Sequence, residues 1–339
     1  MTTATHTLEA LDLRLLNIIQ SAFPLVHHPF KAIGQELCVP EEEALGRIAA
    51  LKKRNVVRQI SAIFDTRRLG YKTTLVAMRL PPESLTQAAR HINHHPGVSH
   101  NYARNGYFNL WFTIAVPPTE GLPETVQRLA QETSAQAVRI LPTLRFFKIG
   151  VNFDMVTGES AAHDYYSPDG YKDGQSQWSK VEPVTSFEIG VIRELQEDLP
   201  LKPQPFLGMA QRLGISEAGL FAYAADFQAR GIMRRYSAVL HHRRAGFKAN
   251  GMAVWRVPSE RAEEVGRIMA GHPAVTHCYE RPTFPDWPYT HFSMIHATSK
   301  ERCEAIAREI SERTAITDYQ VLYSYREYKK TRVKYFVEE

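Results

Sequence analysis

Two stretches of the sequence carry the same three chemically active residue types at alternate positions. They are His100, Tyr102 and Arg104 in one stretch, and His277, Tyr279 and Arg281 in the other. Side chains two residues apart in a strand share a face, so each set is expected to line one surface. Arginine binds carboxylates through paired hydrogen bonds, histidine transfers protons near neutral pH or ligates iron, and tyrosine donates a hydrogen bond or forms a wall. These residue types suit a carboxylate-binding site with a proton donor, although a hydrogen-bonded structural role is the more common one for a histidine or tyrosine in a strand.

Both stretches belong to an internal repeat that covers most of the chain. Residues 11–72 align without a gap on residues 187–248, at a constant offset of 176. The offset then drifts by a few residues, and the matched stretches are HPGVSHNYAR (95–104) with HPAVTHCYER (272–281), NLWFTI (109–114) with YTHFSM (289–294), and ILPTLRFFK (140–148) with VLYSYREYK (321–329). A pattern shared over about 140 residues per copy indicates duplication.

The sequence pattern predicts the same order of helices and strands in both copies. Three short amphipathic helices and a two-strand ribbon are typical of a winged helix-turn-helix, and the βαββαβ order that follows is ferredoxin-like. The predicted fold is therefore α+β, a tandem repeat of these two domains. The predicted boundaries are 8–70 for the first winged helix-turn-helix, 71–154 for the first ferredoxin-like domain, 155–184 for a Gly-, Ser-, Asp- and Pro-rich linker, 185–246 for the second winged helix-turn-helix and 247–337 for the second ferredoxin-like domain.

This arrangement resembles the leucine-responsive regulator (AsnC) family, and ISAIFDTRRLGYK at 60–72 carries the likeness. The chain is more similar to a non-regulatory branch, the siroheme decarboxylases, and VTHCYERPTFPDWPY at 275–289 is the most specific stretch. The resemblance covers both copies, and the chain looks like two paired subunits fused. It implies removal of the acetate carboxyls on rings C and D of siroheme, giving 12,18-didecarboxysiroheme in alternative or denitrification heme biosynthesis. It implies no added cofactor, because the substrate carries its own iron.

The resemblance also assigns roles to individual residues. In the predicted catalytic group, Arg281 anchors a carboxylate, His277 protonates the carbon left by CO₂ or ligates the iron, and Tyr279 is its partner. Family architecture implies two facing sheets whose inner polar residues border an enclosed slot. The predicted substrate-binding residues are His100, Tyr102, Arg104, Asn109, Trp111, Trp287, Tyr289, His291, His296, Arg243, Arg244 and Lys248.

For several of these residues a structural role is the alternative to substrate binding. His296 falls on the same strand face as Phe292 and Met294, which is equally typical of a core histidine. Trp287 is either a stacking wall or simple packing, and Tyr289 and His291 are taken to match Asn109 and Trp111. Solvated basic faces are the alternative for Arg243, Arg244, Lys248 and for the basic stretch 329–334.

Bulk properties narrow the class of partner. The net charge of +5 and pI of about 9.0 favour an anionic partner, either nucleic acid or a small polyanion. We find no apolar run of about 18 residues and no secretory signal, which predicts a cytoplasmic protein. Three dispersed cysteines argue against a zinc site, and no metal site is predicted. We expect siroheme to be the ligand. We also expect the two copies to form a pseudo-dimer within the chain, which leaves open whether chains associate further into homo-oligomers.

A DNA-binding regulator is the main alternative function. Its recognition helix should present positive charge in the first turn, yet copy one has Glu41, Glu42 and Glu43 there. Copy two offers Glu217 and Asp226 before its terminal Arg230. These charges argue against DNA binding and favour a retained structural module. A ligand-responsive regulator remains the alternative, and a tetrapyrrole carrier without chemistry is a third class.

Overall fold

A computed structural model of the chain describes residues 8–149, 180–240 and 249–337. Most of the predicted linker lies outside these ranges, as do Arg243, Arg244 and Lys248. The described residues form two compact units, and each unit takes residues from both copies of the repeat. The helical unit consists of 8–65 and 183–240, and the α+β unit consists of 66–149, 180–182 and 249–337.

The elements follow the predicted order in both copies. Copy one contributes α1 (Ala10–Ser21), α2 (Pro29–Leu37), α3 (Glu41–Lys53), β1 (Val57–Phe64), β2 (Lys72–Arg79), α4 (Leu85–Asn93), β3 (Val98–Arg104), β4 (Leu110–Val116), α5 (Leu122–Glu132), β5 (Ala137–Leu141) and β6 (Arg145–Ile149). Copy two contributes α6 (Ser186–Leu195), α7 (Leu207–Arg212), α8 (Glu217–Ala229), β7 (Met233–Leu240), β8 (Ala249–Trp255), α9 (Ala262–Ala270), β9 (Val275–Glu280), β10 (His291–Ala297), α10 (Lys300–Thr314) and β11 (Tyr319–Lys330).

In the helical unit, the predicted two-strand ribbon forms between the copies and not within each copy. Strand β1 pairs antiparallel with β7, and Ser61 lies opposite Ser237 at the centre of the pair. The two strands are the same segment of the repeat and have the same alternation of buried residues, so a symmetric pairing buries both equally. Strand β2, the expected partner of β1, belongs to the other unit.

The α+β unit contains a nine-stranded sheet in the order β5-β2-β4-β3-β11-β8-β10-β9-β6. Strand β11 joins the two halves, because its first part pairs with β8 and its last part with β3. The βαββαβ order predicts one last strand in the first half, but in the structure this strand is broken at 142–144 into β5 and β6. Pro142 lacks a donor for the ladder, and β5 pairs with β2 while β6 pairs with β9 of the other half.

Three apolar clusters stabilise the α+β unit. One lies between the first half of the sheet and helices α4 and α5, and its counterpart lies between the second half and helices α9 and α10. The third cluster, called here the inner layer, is shared by both halves and consists of Ala77, Phe108, Trp111, Leu141, Met252, Val254, Trp287, Phe292 and Leu322. No helix in the described part of the chain is long and apolar enough to cross a membrane.

Candidate active site

Strands β3 and β9 present two matching groups of side chains. The first cluster is His100, Tyr102 and Arg104, and the second cluster is His277, Tyr279 and Arg281. The ring centroids of histidine and tyrosine are 6.3 Å apart in the first cluster and 6.1 Å apart in the second. Each guanidinium lies over its tyrosine ring, at 5.4 Å in the first cluster and 4.9 Å in the second. These distances confirm that each set shares one face of its strand.

Each arginine reaches a backbone carbonyl of the other half. Arg104 donates to the carbonyl oxygen of Leu322 at 2.9 Å, and Arg281 donates to that of Leu141. The two leucines are equivalent in the repeat, so the contacts are symmetric. Burial lowers the pKa of Arg281 to about 10, and the charge of nearby Arg67 acts in the same direction. Arg281 therefore stays cationic at neutral pH, fixed in a largely buried position.

His296 lies among cations from both halves. It is half-buried on β10, on the same face as Phe292 and Met294 of the inner layer, as the alternation predicted. Its pKa is lowered to about 3, chiefly by burial and in part by positive charge on His277, Lys330 and Arg104. This histidine is therefore neutral at physiological pH. The gathering of charged groups around it suits a ligand with several carboxylates.

Sequence reasoning missed two basic residues near these clusters. Lys330 lies opposite His100 in the β11–β3 pair, although the basic stretch 329–334 was interpreted as a solvated face. Arg67 lies near Arg281, and its counterpart at the offset of 176 is Arg243, which was predicted. Applying the repeat in both directions would have found Arg67. Lys330 could not be found in this way, because its position beside His100 depends on the pairing of β11 from copy two with β3 from copy one.

Asn109 does not join either cluster. Its amide nitrogen donates to the carbonyl of Leu80 at 2.7 Å, and its amide oxygen accepts from the Leu80 amide at 2.9 Å. Both ends of the side chain therefore satisfy backbone groups where β2 ends. The position of Asn109 is that of a structural residue.

The predicted placement of His291 beside Tyr289, as the match of Trp111, is wrong. Its Nε2 lies 2.8 Å from the carbonyl oxygen of Ala262, and its ring stacks on Phe147 in the helix-facing cluster of the second half. Trp111 lies opposite Tyr102, whereas Phe292 lies opposite Tyr279. Phe292 is therefore the counterpart of Trp111, and a slip of one residue turned His291 toward the wrong face.

The aromatic residues of the prediction form a packed wall in the inner layer. Trp111 donates to the carbonyl of Phe108 at 2.8 Å, and its ring centroid is 5.2 Å from that of Trp287. Trp287 in turn packs 5.1 Å from Tyr289. The indole nitrogen of Trp287 is buried and has no hydrogen-bond partner among the described residues. The wall is thus largely packing, with one donor turned away from protein acceptors.

No group of three or more His, Cys, Asp or Glu side chains in the described ranges is placed to hold a metal ion. Cys278 is buried against α9, and burial raises the pKa of its thiol to about 12. It is therefore a neutral core residue and not a nucleophile.

Comparison with known proteins identifies the family. The AsnC-like ligand binding domain matches residues 68–148 and 244–329, and the siroheme decarboxylase NirDL-like HTH domain matches 12–58 and 188–234. A siroheme decarboxylase of Hydrogenobacter thermophilus (strain DSM 6534 / IAM 12695 / TK-6) is 40% identical over 327 residues, covering 96% of this chain and 95% of that protein. The chain belongs to the siroheme decarboxylase family. The predicted family and the tandem fold are confirmed.

Some members of this family match the whole chain, and others match a single copy of the repeat. The crystal structure of the siroheme decarboxylase NirDL in complex with an iron-uroporphyrin III analogue has a TM-score of 0.71 and 35% identity, covering 96% of this chain and 94% of that one. The siroheme decarboxylase beta subunit of Methanosarcina barkeri (strain Fusaro / DSM 804) is 46% identical over 147 residues, which are 43% of this chain and 97% of that protein. This chain, with 339 residues, is thus a little more than twice as long as such a subunit.

Proposed function

We propose that this protein removes the two acetate carboxyls on rings C and D of siroheme, releasing two CO₂ and 12,18-didecarboxysiroheme without an added organic cofactor. The observation that carries the proposal is the pair of His-Tyr-Arg clusters beside a shared inner layer, in a chain of this family. We place the reaction in the cytoplasm, in alternative or denitrification heme biosynthesis.

Binding is assigned to fixed cations. Siroheme carries eight carboxylates around a flat iron macrocycle, so its site needs several positive groups and apolar walls. Arg104 and Arg281 are buried and oriented by backbone carbonyls, so little side-chain entropy is lost when a carboxylate binds. Lys330 and Arg67 add charge beside them. Trp111 and Trp287 supply apolar surface.

Catalysis is assigned to the second cluster. Loss of CO₂ leaves an electron pair on the methylene carbon attached to the ring, which the macrocycle can delocalise until a proton arrives. His277 is the proposed proton donor, with Tyr279 as its partner and Arg281 as the carboxylate anchor. Both rings are half-buried, so they keep a surface for the substrate while being shielded from bulk water.

The helical unit supports this enzyme over a DNA-binding regulator. In α3, Arg47 forms ion pairs with Glu9, Asp12 and Glu43. In α8, Glu217 at the first turn pairs with His27 of the other copy at 2.8 Å. Phosphate contacts would have to compete with these acids. We propose that this unit has a structural role.

The deciding experiment is an anaerobic incubation of the purified protein with siroheme, followed by mass analysis of the tetrapyrrole. Loss of two carboxyl masses, with the His277→Ala variant as the matched control, would support the proposal. An unchanged mass with a shifted absorption spectrum would overturn it in favour of a carrier. If neither changes, the enzyme proposal fails and binding to DNA fragments becomes the next measurement.

A further inference from the structure

A β-bulge brings Thr276 to the side of the second cluster. In the pairing of β9 with β10, His277 lies opposite Met294 and Val275 lies opposite Ile295, so Thr276 is an extra residue without a partner in the ladder. Bulges commonly redirect a side chain beside an active site. The Thr276 side chain is completely buried, and its hydroxyl has been turned toward two histidines.

The Thr276 hydroxyl bridges these two rings. Its Oγ1 lies 3.0 Å from Nδ1 of His277 and 3.1 Å from Nδ1 of His296. The hydroxyl also lies 3.4 Å from the carbonyl oxygen of Met294. It has one proton to donate and lone pairs to accept, so it can donate to the nearer of the two rings while accepting from the other. The three groups therefore form a continuous hydrogen-bonded path from Nε2 of His296 to Nε2 of His277.

The charges around His296 favour transfer of a proton over storage of one. Arg104 and Lys330 oppose a positive charge on this ring, and burial has the same effect. A neutral imidazole can accept a proton at one nitrogen while it releases another from the opposite nitrogen. His296 can therefore pass protons toward Thr276 without becoming a lasting cation.

We propose that His296 and Thr276 form a proton relay that resupplies His277 during siroheme decarboxylation. This inference rests on the proposed role of His277. When the bond to the carboxyl breaks, its electron pair stays on the methylene carbon, which takes the proton from Nε2 of His277. As it leaves, Thr276 gives its proton to Nδ1 of His277 and regains one from Nδ1 of His296, which takes a proton at Nε2 from solvent water, so His277 stays neutral and ends with its proton on Nδ1. After product release, a solvent proton taken up at Nε2 of His277 drives the same transfers in reverse, which returns a proton to solvent from Nε2 of His296 and restores the chain. Each CO₂ released therefore takes up one solvent proton in total.

The first cluster contains only the beginning of such a path. Ser99 is the extra residue of the matching bulge in β3, and its Oγ lies 3.0 Å from Nδ1 of His100. The position equivalent to His296 is Ala115, because Ile114 and Ile295 pair with equivalent valines. The path therefore stops at Ser99. The relay distinguishes the second cluster as the one that delivers protons.

The test compares Thr276→Val with Thr276→Ser in anaerobic steady-state assays with siroheme. Valine keeps the shape of threonine but removes the hydroxyl, so we expect kcat to fall about tenfold or more while KM changes less than about twofold. Serine restores the hydroxyl and should recover most of kcat. Thr74→Val is the matched control for packing, because it changes another buried strand threonine, whose hydroxyl donates to the adjacent Leu75 carbonyl and to no histidine among the described residues.

Three outcomes would overturn the relay. They are a Thr276→Val enzyme with kcat within about twofold of wild type, a Thr276→Ser enzyme as slow as Thr276→Val, or a Thr74→Val enzyme that loses as much activity. His277→Ala separates this failure from that of the proposed function. If His277→Ala is inactive while Thr276→Val is normal, the relay alone is wrong. If both retain full turnover, the proposed role of His277 fails as well.

Discussion

The two clusters of the α+β unit are held by equivalent hydrogen bonds, but they differ in the residues beside them. Both hold a histidine against a hydroxyl at 3.0 Å and an arginine against a leucine carbonyl of the other half. The second cluster has His296 where the first has Ala115, and the first has Lys330 where the second has Ile149. The two halves thus share the anchoring contacts, while the first cluster has an added cation and the second a neutral histidine.

This difference suggests a division of labour. A cation opposite His100 favours binding of a carboxylate, whereas a second histidine bridged to His277 favours movement of a proton.

Replacing the two cluster histidines should have unequal consequences. We expect His277→Ala to lower kcat by about 10²–10⁴-fold, because general acid catalysis contributes on that scale. We expect His100→Ala to act mainly on KM, since the first cluster lacks the second histidine. The measurement is anaerobic decarboxylation followed by mass analysis, with circular dichroism to verify folding. Equal losses of kcat in both variants would contradict the division of labour.

Strand β6 packs against helix α9 of the second half, and this packing should leave no room for a side chain at Gly266. A methyl group on Gly266 of α9 would lie 2.3 Å from the Phe147 ring, which β6 brings from the first half. We expect Gly266→Ala to lower the free energy of unfolding by about 1–3 kcal/mol, as overpacking of a buried site does. Ala89→Gly at the equivalent position of α4 should cost less, about 1 kcal/mol, through helix propensity. Denaturant titration measures both, and an unaffected Gly266→Ala would mean that Phe147 relaxes freely.

Much of this arrangement was available from the sequence. The repeat, the order of elements and the alternating His-Tyr-Arg pattern predicted both clusters, because strand periodicity alone determines which residues share a face. The exchange of β6 and β11 between halves was not predictable, since it depends on long-range pairing that local patterns do not encode.

The error at His291 has a specific physical origin. Aligning NLWFTI with YTHFSM matched the two phenylalanines, Phe112 and Phe292, by similarity. In the structure the first faces α4 and α5, and the second faces the inner layer. Strand side chains alternate, so this slip of one residue placed His291 on the wrong face of β10. A bulge that repeats in both copies, at Ser99 and Thr276, leaves no signal in sequence similarity.

The buried position of His291 predicts an acid-sensitive second half. Its pKa is lowered from the ordinary 6.5 to about 4, chiefly by burial, so the unfolded chain takes up this proton first as the pH falls. The contribution of His291 to stability is therefore complete above about pH 6.5 and is lost toward about pH 4, with a slope of up to about 1.4 kcal/mol per pH unit.

The counterpart of His291 in the first half is Leu110, which supplies the matched variant. We expect His291→Leu to be less stable than wild type near neutral pH, because it loses the bond to the Ala262 carbonyl. The gap in unfolding free energy should narrow as the pH falls from about 6.5 to about 5. Parallel curves for the two proteins over this range would show that His291 does not titrate with unfolding.

The smallest expected effect concerns the Pro-rich segment 282–288, which copy one lacks. Asp286 of this segment accepts two hydrogen bonds from Arg139 of β5, at 2.8 and 2.7 Å, and both side chains are about one-third exposed. Exposed pairs contribute about 0–1 kcal/mol, so Asp286→Ala and Arg139→Ala should each change stability by less than about 1 kcal/mol. The double variant should be no less stable than either single variant, because the pair is a single interaction.

A large loss of turnover in Asp286→Ala, with stability unchanged, would instead mean that this segment positions the substrate through the adjacent Trp287. The functional difference between the halves would then lie in the inserted segment and not in His296.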